Sequence, residues 1–399
     1  IVNKDGKPAN AEIKITQKRH AFKYGANCFM LGELESDEKN EIYKNSFAQS
    51  FNIATLPFYW KDNEPEEGKV RYDKNSPHIY RRPAPDLCLE FCKENNIEPK
   101  AHCLNYVHNT PVWVPDDCDL MRKYLEKRFA QLSERYSGVI SNWEVINETI
   151  CGCDGWKFYY EPDLVKWSFC LAEKYFPNNE LTINEASHIW YKYLGTRMPY
   201  YMLIERELQS GTRIDSIGMQ FHQFYKREAE EEHTKALSNP ENIYKILDLY
   251  NNFNKPIQIT EVTIPAYSDD GEDEEVQAKI IENLYKIWFS SKNVEAVIYW
   301  NMIDGYAAFA ETGDMTAGDN YYYGGLLRHD GTKKPAYSVI KNLFEKEWRT
   351  NEKVSTKNGT AWFKGFYGEY DLEITGEGIR KTVQIEISRN DSNEFVIKL

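Results

Sequence analysis

Eight times between Phe22 and Lys346 a short apolar run rich in β-branched residues gives way to a stretch with helical spacing of its apolar positions. The expected strands open at Phe22, Ile53, Glu98, Val139, Leu181, Ile214, Ile257 and Val294. A single long helix is expected over Glu232–Phe253 in the sixth unit. Eight strand-then-helix units over this length are what a closed (β/α)8 barrel of the α/β class requires. An open doubly wound sheet would need a Gly-rich phosphate turn after an early strand, and the sequence has none. In a barrel, the polar residues that close each strand converge on one mouth. This chain supplies His102, Asn147, Glu148, Asn184, Glu185, Gln220, His222, Glu261, Trp300 and Asp304 at such positions.

The two chain ends follow another rule. Residues 1–20 read as short strands around the turn Asp5-Gly6-Lys7-Pro8, and from residue 351 the apolar period changes to two. Four short strands form a marginal sheet alone, so residues 1–20 and 351–399 are expected to pair as a small β-sandwich appended to a barrel of residues 21–350.

A net charge of -13 argues against nucleic acid or an anionic membrane as partner, and no apolar run is long enough for a membrane span. The 28 Tyr and 10 Trp suit either a large core or stacking on sugar rings. The eight cysteines show no repeating framework: Cys151-Gly-Cys153 lacks a second ligand pair, so no metal site is expected. The chain opens at Ile1 without Met, which points to a removed targeting peptide or a trimmed sequence.

Two strands end on glutamates. Trp143-Glu144-Val145-Ile146-Asn147-Glu148 and Pro256-Ile257-Gln258-Ile259-Thr260-Glu261 are apolar runs that each close on a carboxylate. Paired carboxylates across a cleft can split an acetal by double displacement, one attacking the anomeric carbon while the other protonates the leaving oxygen and then activates water. Asn147 is placed to bind a sugar 2-hydroxyl, and His222 to orient Glu261.

These segments resemble glycoside hydrolase family 10, the xylanase family of retaining barrel enzymes, over about Phe22–Trp348. Trp143–Glu148 resembles the family's acid/base strand and Ile259-Thr260-Glu261 its nucleophile strand. Ile214–His222 resembles the strand that brings Gln and His beside the nucleophile. Glu64-Pro65-Glu66-Glu67-Gly68 and Lys334-Pro335-Ala336-Tyr337 resemble two further segments. The resemblance implies Glu148 as acid/base and Glu261 as nucleophile. It also implies substrate contacts from His102, Tyr106, Asn147, Asn184, Gln220, His222, Trp300 and Trp60.

The resemblance is to a divergent member of that family. Leu56-Pro57-Phe58-Tyr59-Trp60 lacks the family's Glu-Asn and Lys, Tyr106 and Val107 stand where Trp and His are usual, and Ala308 replaces a second Trp. The implied activity is endo-β-1,4-xylanase-like cleavage of a polysaccharide or oligosaccharide, with no cofactor. Another β-glycan, a short β-glycoside or a non-catalytic glycan-binding barrel are the alternatives. A polymer substrate implies an extracellular or periplasmic location.

Overall fold

The computed structural model describes residues 1–150 and 155–399, so Cys151-Gly-Cys153 lies outside the described residues. The chain divides into two compact units, Tyr24–Ser338 and Ile1–Lys23 with Val339–Leu399. The second division falls within the last expected barrel helix because the residues beyond it pack on the N-terminal segment. Phe344 stacks on Phe22 at 5.8 Å and meets His20 edge-on at 5.9 Å, and His20 Nε2 lies 3.2 Å from the Trp348 carbonyl.

β1 (Glu12–His20) belongs to the smaller unit. Eight strands then close a parallel barrel in sequential order. They are β2 (Lys23–Asn27), β3 (Ile53–Pro57), β4 (Glu98–His102), β5 (Asn142–Asn147), β6 (Glu180–Glu185), β7 (Ser216–His222), β8 (Ile257–Thr263) and β9 (Val294–Tyr299). The sequence IQITEVT of β8 is buried along its whole length, as a strand covered on both faces must be. The single helix expected over Glu232–Phe253 is two helices, Glu230–Leu237 and Pro240–Asn251. Pro240 cannot continue a helix, and Asn239 caps the second one by accepting from the Glu241 N–H at 2.9 Å. The acidic run Ser268–Glu275 is spent on structure: Asp270 caps helix Gly271–Ser290, Asp273 pairs with Arg227 at 2.7 Å, and Glu274 pairs with Arg328 at 2.5 Å.

Two register shifts set which side chains face the barrel mouth. Between Glu144 and Ile146, β5 carries one residue more than β6, and at Thr260 β8 carries one more than β7. Such bulges change the phase of the two-residue alternation. Glu144 and Asn147 therefore both reach into the barrel, as do the neighbours Thr260 and Glu261.

The smaller unit is an antiparallel sheet from both chain ends, adding β10 (Asn351–Ser355), β11 (Gly368–Gly376) and β12 (Ile379–Ile387) in the order β10-β1-β11-β12. Ile13, Ile15, Leu372, Ile374 and Ile385 form its core. Two segments of the period-two stretch, 361–366 and 394–399, contribute Phe363, Ile397 and Leu399 to that core mostly without ladder pairing. Ile374 is fully buried at the centre of this cluster. Ile374→Ala should lower stability by about 2–5 kcal/mol, read from urea unfolding of the full chain.

Candidate active site

Above the barrel floor, a cleft of about 460 Å³ opens at the C-terminal ends of the strands. Glu148 and Glu261 both line it, with His102, Tyr106, Asn147, Gln220, His222 and Trp300. Glu148 lies one residue past β5 with φ 54°, a left-handed conformation that costs a non-glycine residue on the order of 1–3 kcal/mol. The turn is fastened on both sides. Glu148 N–H donates to the Asn184 carbonyl at 3.1 Å, and the buried Glu185 carboxylate accepts from Ile150 N–H at 3.0 Å and Thr149 Oγ1 at 3.3 Å.

Both Glu148 oxygens accept hydrogen bonds. Gln220 Nε2 donates to Oε1 at 2.7 Å and the Tyr106 hydroxyl to Oε2 at 2.6 Å. Burial, then the adjacent Glu148 charge, push the Tyr106 phenol far up, so it stays a donor. Glu261 Oε1 accepts from Asn184 Nδ2 at 3.3 Å, and Oε2 lies 3.3 Å from His222 Nε2. Gln220 Nε2 and Asn184 Nδ2 both reach Asn147 Oδ1, at 3.3 and 2.9 Å. A chain of three amides thus joins the two carboxylates, and it leaves the donor end of the Asn147 amide for a ligand.

Beneath this chain lies a buried ionic group. Glu144 takes Lys100 Nζ at 2.9 Å on one oxygen, and His102 Nδ1 and Asn184 Nδ2 on the other. Burial alone would raise the Glu144 carboxyl, but Lys100 and His102 outweigh it and hold the pKa down to about 2. Burial works against charge on His102 as well, and Glu144 overcomes it, so the His102 pKa is raised. Glu261 has no cation in contact. Burial pushes it up to about 8, His102 opposing and Glu144 and Glu148 adding to the rise.

Of the ten residues proposed from sequence, two stand elsewhere. Asn184 is wholly buried and acts from below the cleft, through Asn147 and Glu261. Trp60 does not line the cleft: it begins a short helix, packs edge-on against Trp113 at 5.7 Å and donates from Nε1 to Glu64 at 3.0 Å. The backbone turn between β3 and that helix presents its neighbour Tyr59 instead, whose hydroxyl lies 3.1 Å from His102 Nε2. Tyr59 and Trp300 border the cleft with the buried Phe29 packed edge-on against both, and the Arg82 guanidinium sits 4.3 Å from the Tyr59 ring centre. Arg81 is buried behind, bonded to the Tyr306 carbonyl and to Asn301. His188 also lines the cleft, with Tyr191 and Phe224, and Phe224 stacks on His222 at 4.6 Å. Sequence reasoning missed Lys100 and Glu144: Lys100 was readable from parity, two residues before His102, whereas Glu144 stands three residues before Asn147 and faces inward only because of the bulge.

The family profile described as Glycosyl hydrolase family 10 matches residues 19–343. The chain belongs to that family. It is 26% identical to the anti-sigma-I factor RsgI6 of Acetivibrio thermocellus over 95% of this chain and 44% of that one. It is 22% identical to endo-1,4-beta-xylanase 2 of Arabidopsis thaliana over 98% and 33%, so it spans less than half the length of either relative. With endo-1,4-beta-xylanase A of Caldicellulosiruptor saccharolyticus the identity is 25% over 74% of this chain and 86% of that one. Among solved structures, xylanase 10B from Thermotoga petrophila RKU-1 in complex with xylobiose shares the fold, with a TM-score of 0.63 at 20% identity, covering 82% of this chain and 95% of that one. No helix among the described residues is long and apolar enough to cross a membrane.

The Glu144 carboxyl is depressed in the fold, so its charge stabilises the protein above its unfolded value near 4.5 and ceases to do so as pH falls toward about 2. Glu144→Gln should therefore cost on the order of 3 kcal/mol at pH 7, and the gap to the parent should close between pH 4.5 and 2 in chemical unfolding.

Proposed function

We propose that this chain is a retaining glycoside hydrolase that cleaves β-1,4 linkages in xylan or xylo-oligosaccharides. The observation that carries the reading is the hydrogen-bonded chain from Glu148 through Gln220, Asn147 and Asn184 to Glu261, which fixes two carboxylates in one cleft. Glu148 protonates the leaving oxygen while Glu261 attacks the anomeric carbon, giving a glycosyl ester. Glu148, now a carboxylate, takes a proton from water, which displaces Glu261. Desolvation of Glu261 serves this chemistry, because a poorly hydrated carboxylate gains most from the positive charge that develops on the sugar. The amide of Asn147 meets the 2-hydroxyl, and His102, Gln220 and Trp300 border the same sugar.

The xylan assignment follows the named xylanases above, and the aromatic rings of Tyr59 and Trp300 bordering the cleft support a flat, uncharged sugar. For a polymer substrate we propose an extracellular or periplasmic location. One observation favours a second reading: the match to an anti-sigma-I factor covers 95% of the chain. Under that reading the barrel is the glycan-binding part of a regulatory protein.

Glu261→Ala should lower turnover of xylo-oligosaccharides by at least about 10⁴-fold with unfolding unchanged. Glu148→Ala should keep turnover only on aryl xylosides with good leaving groups, and the parent's first product should be the β-anomer by NMR. Binding of xylo-oligosaccharides by the parent without any release of reducing sugar would instead support the second reading.

A further inference from the structure

The partners of one hydroxyl leave a single way to place the protons behind Glu261. Thr263 closes β8 two residues after Glu261, and its Oγ1 touches the Trp300 carbonyl oxygen and, at 2.8 Å, His222 Nδ1. A carbonyl oxygen only accepts, so the one hydroxyl hydrogen goes to Trp300. His222 Nδ1 must then carry a hydrogen and donate it to Oγ1. A neutral imidazole protonated at Nδ1 has a bare lone pair at Nε2, and Nε2 stands 3.3 Å from Glu261 Oε2. Two acceptors at that distance need one proton between them.

We propose that Thr263 is a positioning residue that holds His222 in its Nδ1–H form, so that His222 and Glu261 own one proton in common and His222 accepts it when Glu261 attacks. In that step the O–H bond of Glu261 breaks and an N–H bond forms at Nε2, turning a carboxylic acid and a neutral ring into a carboxylate and an imidazolium with no change of net charge. The catalytic part of the proposal rests on Glu261 being the nucleophile. Burial sets the resting state: it lowers His222 to about 4 and raises Glu261 to about 8, so near neutrality the proton sits on the carboxyl.

The charged groups that face the pair come from several elements. His102 on β4 favours the Glu261 carboxylate, while Glu144 on β5 and Glu148 just past it oppose that charge. Asp319, in the loop after β9, and Glu148 favour charge on the ring. Asp319 and Thr263 also border a cavity of about 20 Å³, room for one water between them.

The test is ¹⁵N-histidine NMR on the full chain at pH 7, with His222→Asn assigning the ring. Expected is a protonated Nδ1 and a bare Nε2 in the parent and in Thr263→Ser. Thr263→Val, which leaves Nδ1 without an acceptor, should move the hydrogen to Nε2, and Thr263→Asp should protonate both nitrogens. A parent ring protonated at Nε2, or a Thr263→Val spectrum identical to the parent's, overturns the proposal. In hydrolysis of an aryl β-xyloside, Thr263→Val should lose at least about tenfold in kcat with KM within about twofold, and Thr263→Ser should retain it; an unchanged kcat in Thr263→Val overturns the catalytic role. The spectra need no turnover, so an inactive parent would defeat the glycosidase reading and leave the tautomer decided separately.

Discussion

Glu144 never meets water, and the mouth of the barrel is arranged over it. An isolated carboxylate in such a place would cost several kcal/mol, and Lys100 and His102 offset that cost by direct contact. Removing either cation would strand the charge, so the three residues stand or fall together. Asn184 is the link upward. Its amide touches Glu144, Asn147 and Glu261 at once, so the position of the buried charge is passed to both sides of the cleft. The same charge works against ionisation of Glu261, which ties the electrostatics of that carboxyl to a group buried below the cleft.

Much of this was legible in the sequence. The eight units, the two glutamate-ended strands and the switch to a period of two at the C-terminus each rest on local patterning, which a strand or helix imposes on its own residues. What was not legible depends on phase and on partners. Tyr59 and Trp60 are adjacent aromatic residues, and only the turn that follows β3 decides that Tyr59 faces the cleft while Trp60 bonds Glu64. The expected boundary near residue 350 passed over Phe344 and Trp348 because their packing on His20 and Phe22 joins residues more than 300 positions apart. His188 carried no spacing signal; it reaches the cleft because the short helical turn Ser187–Trp190 follows β6 directly.

The site also departs from the family pattern in a coherent way. Where the family's polar residues are missing, Tyr59 and Trp300 border the cleft with Phe29 packed behind them, and Arg82 lies against Tyr59 with its charge met by Asp62 at 2.8 Å. An aromatic wall selects by shape and stacking rather than by hydrogen bonds, so it discriminates weakly between sugars of similar outline.

The extra residues in β5 and β8 carry a consequence for how this chain can vary. A strand with period two has only two faces, and one added residue exchanges them for everything downstream. The loops above the barrel can lengthen or shorten without disturbing that parity, and loss of the extra residue at Val145 or Thr260 would leave a regular ladder with Asn147 and Glu261 still facing inward, whereas loss of a residue from the regular part of either strand would turn them toward the helices. Tolerance to deletion is therefore not graded smoothly with distance from the cleft: within β5 and β8 the regular stretches are less forgiving than the two points where the strands bulge.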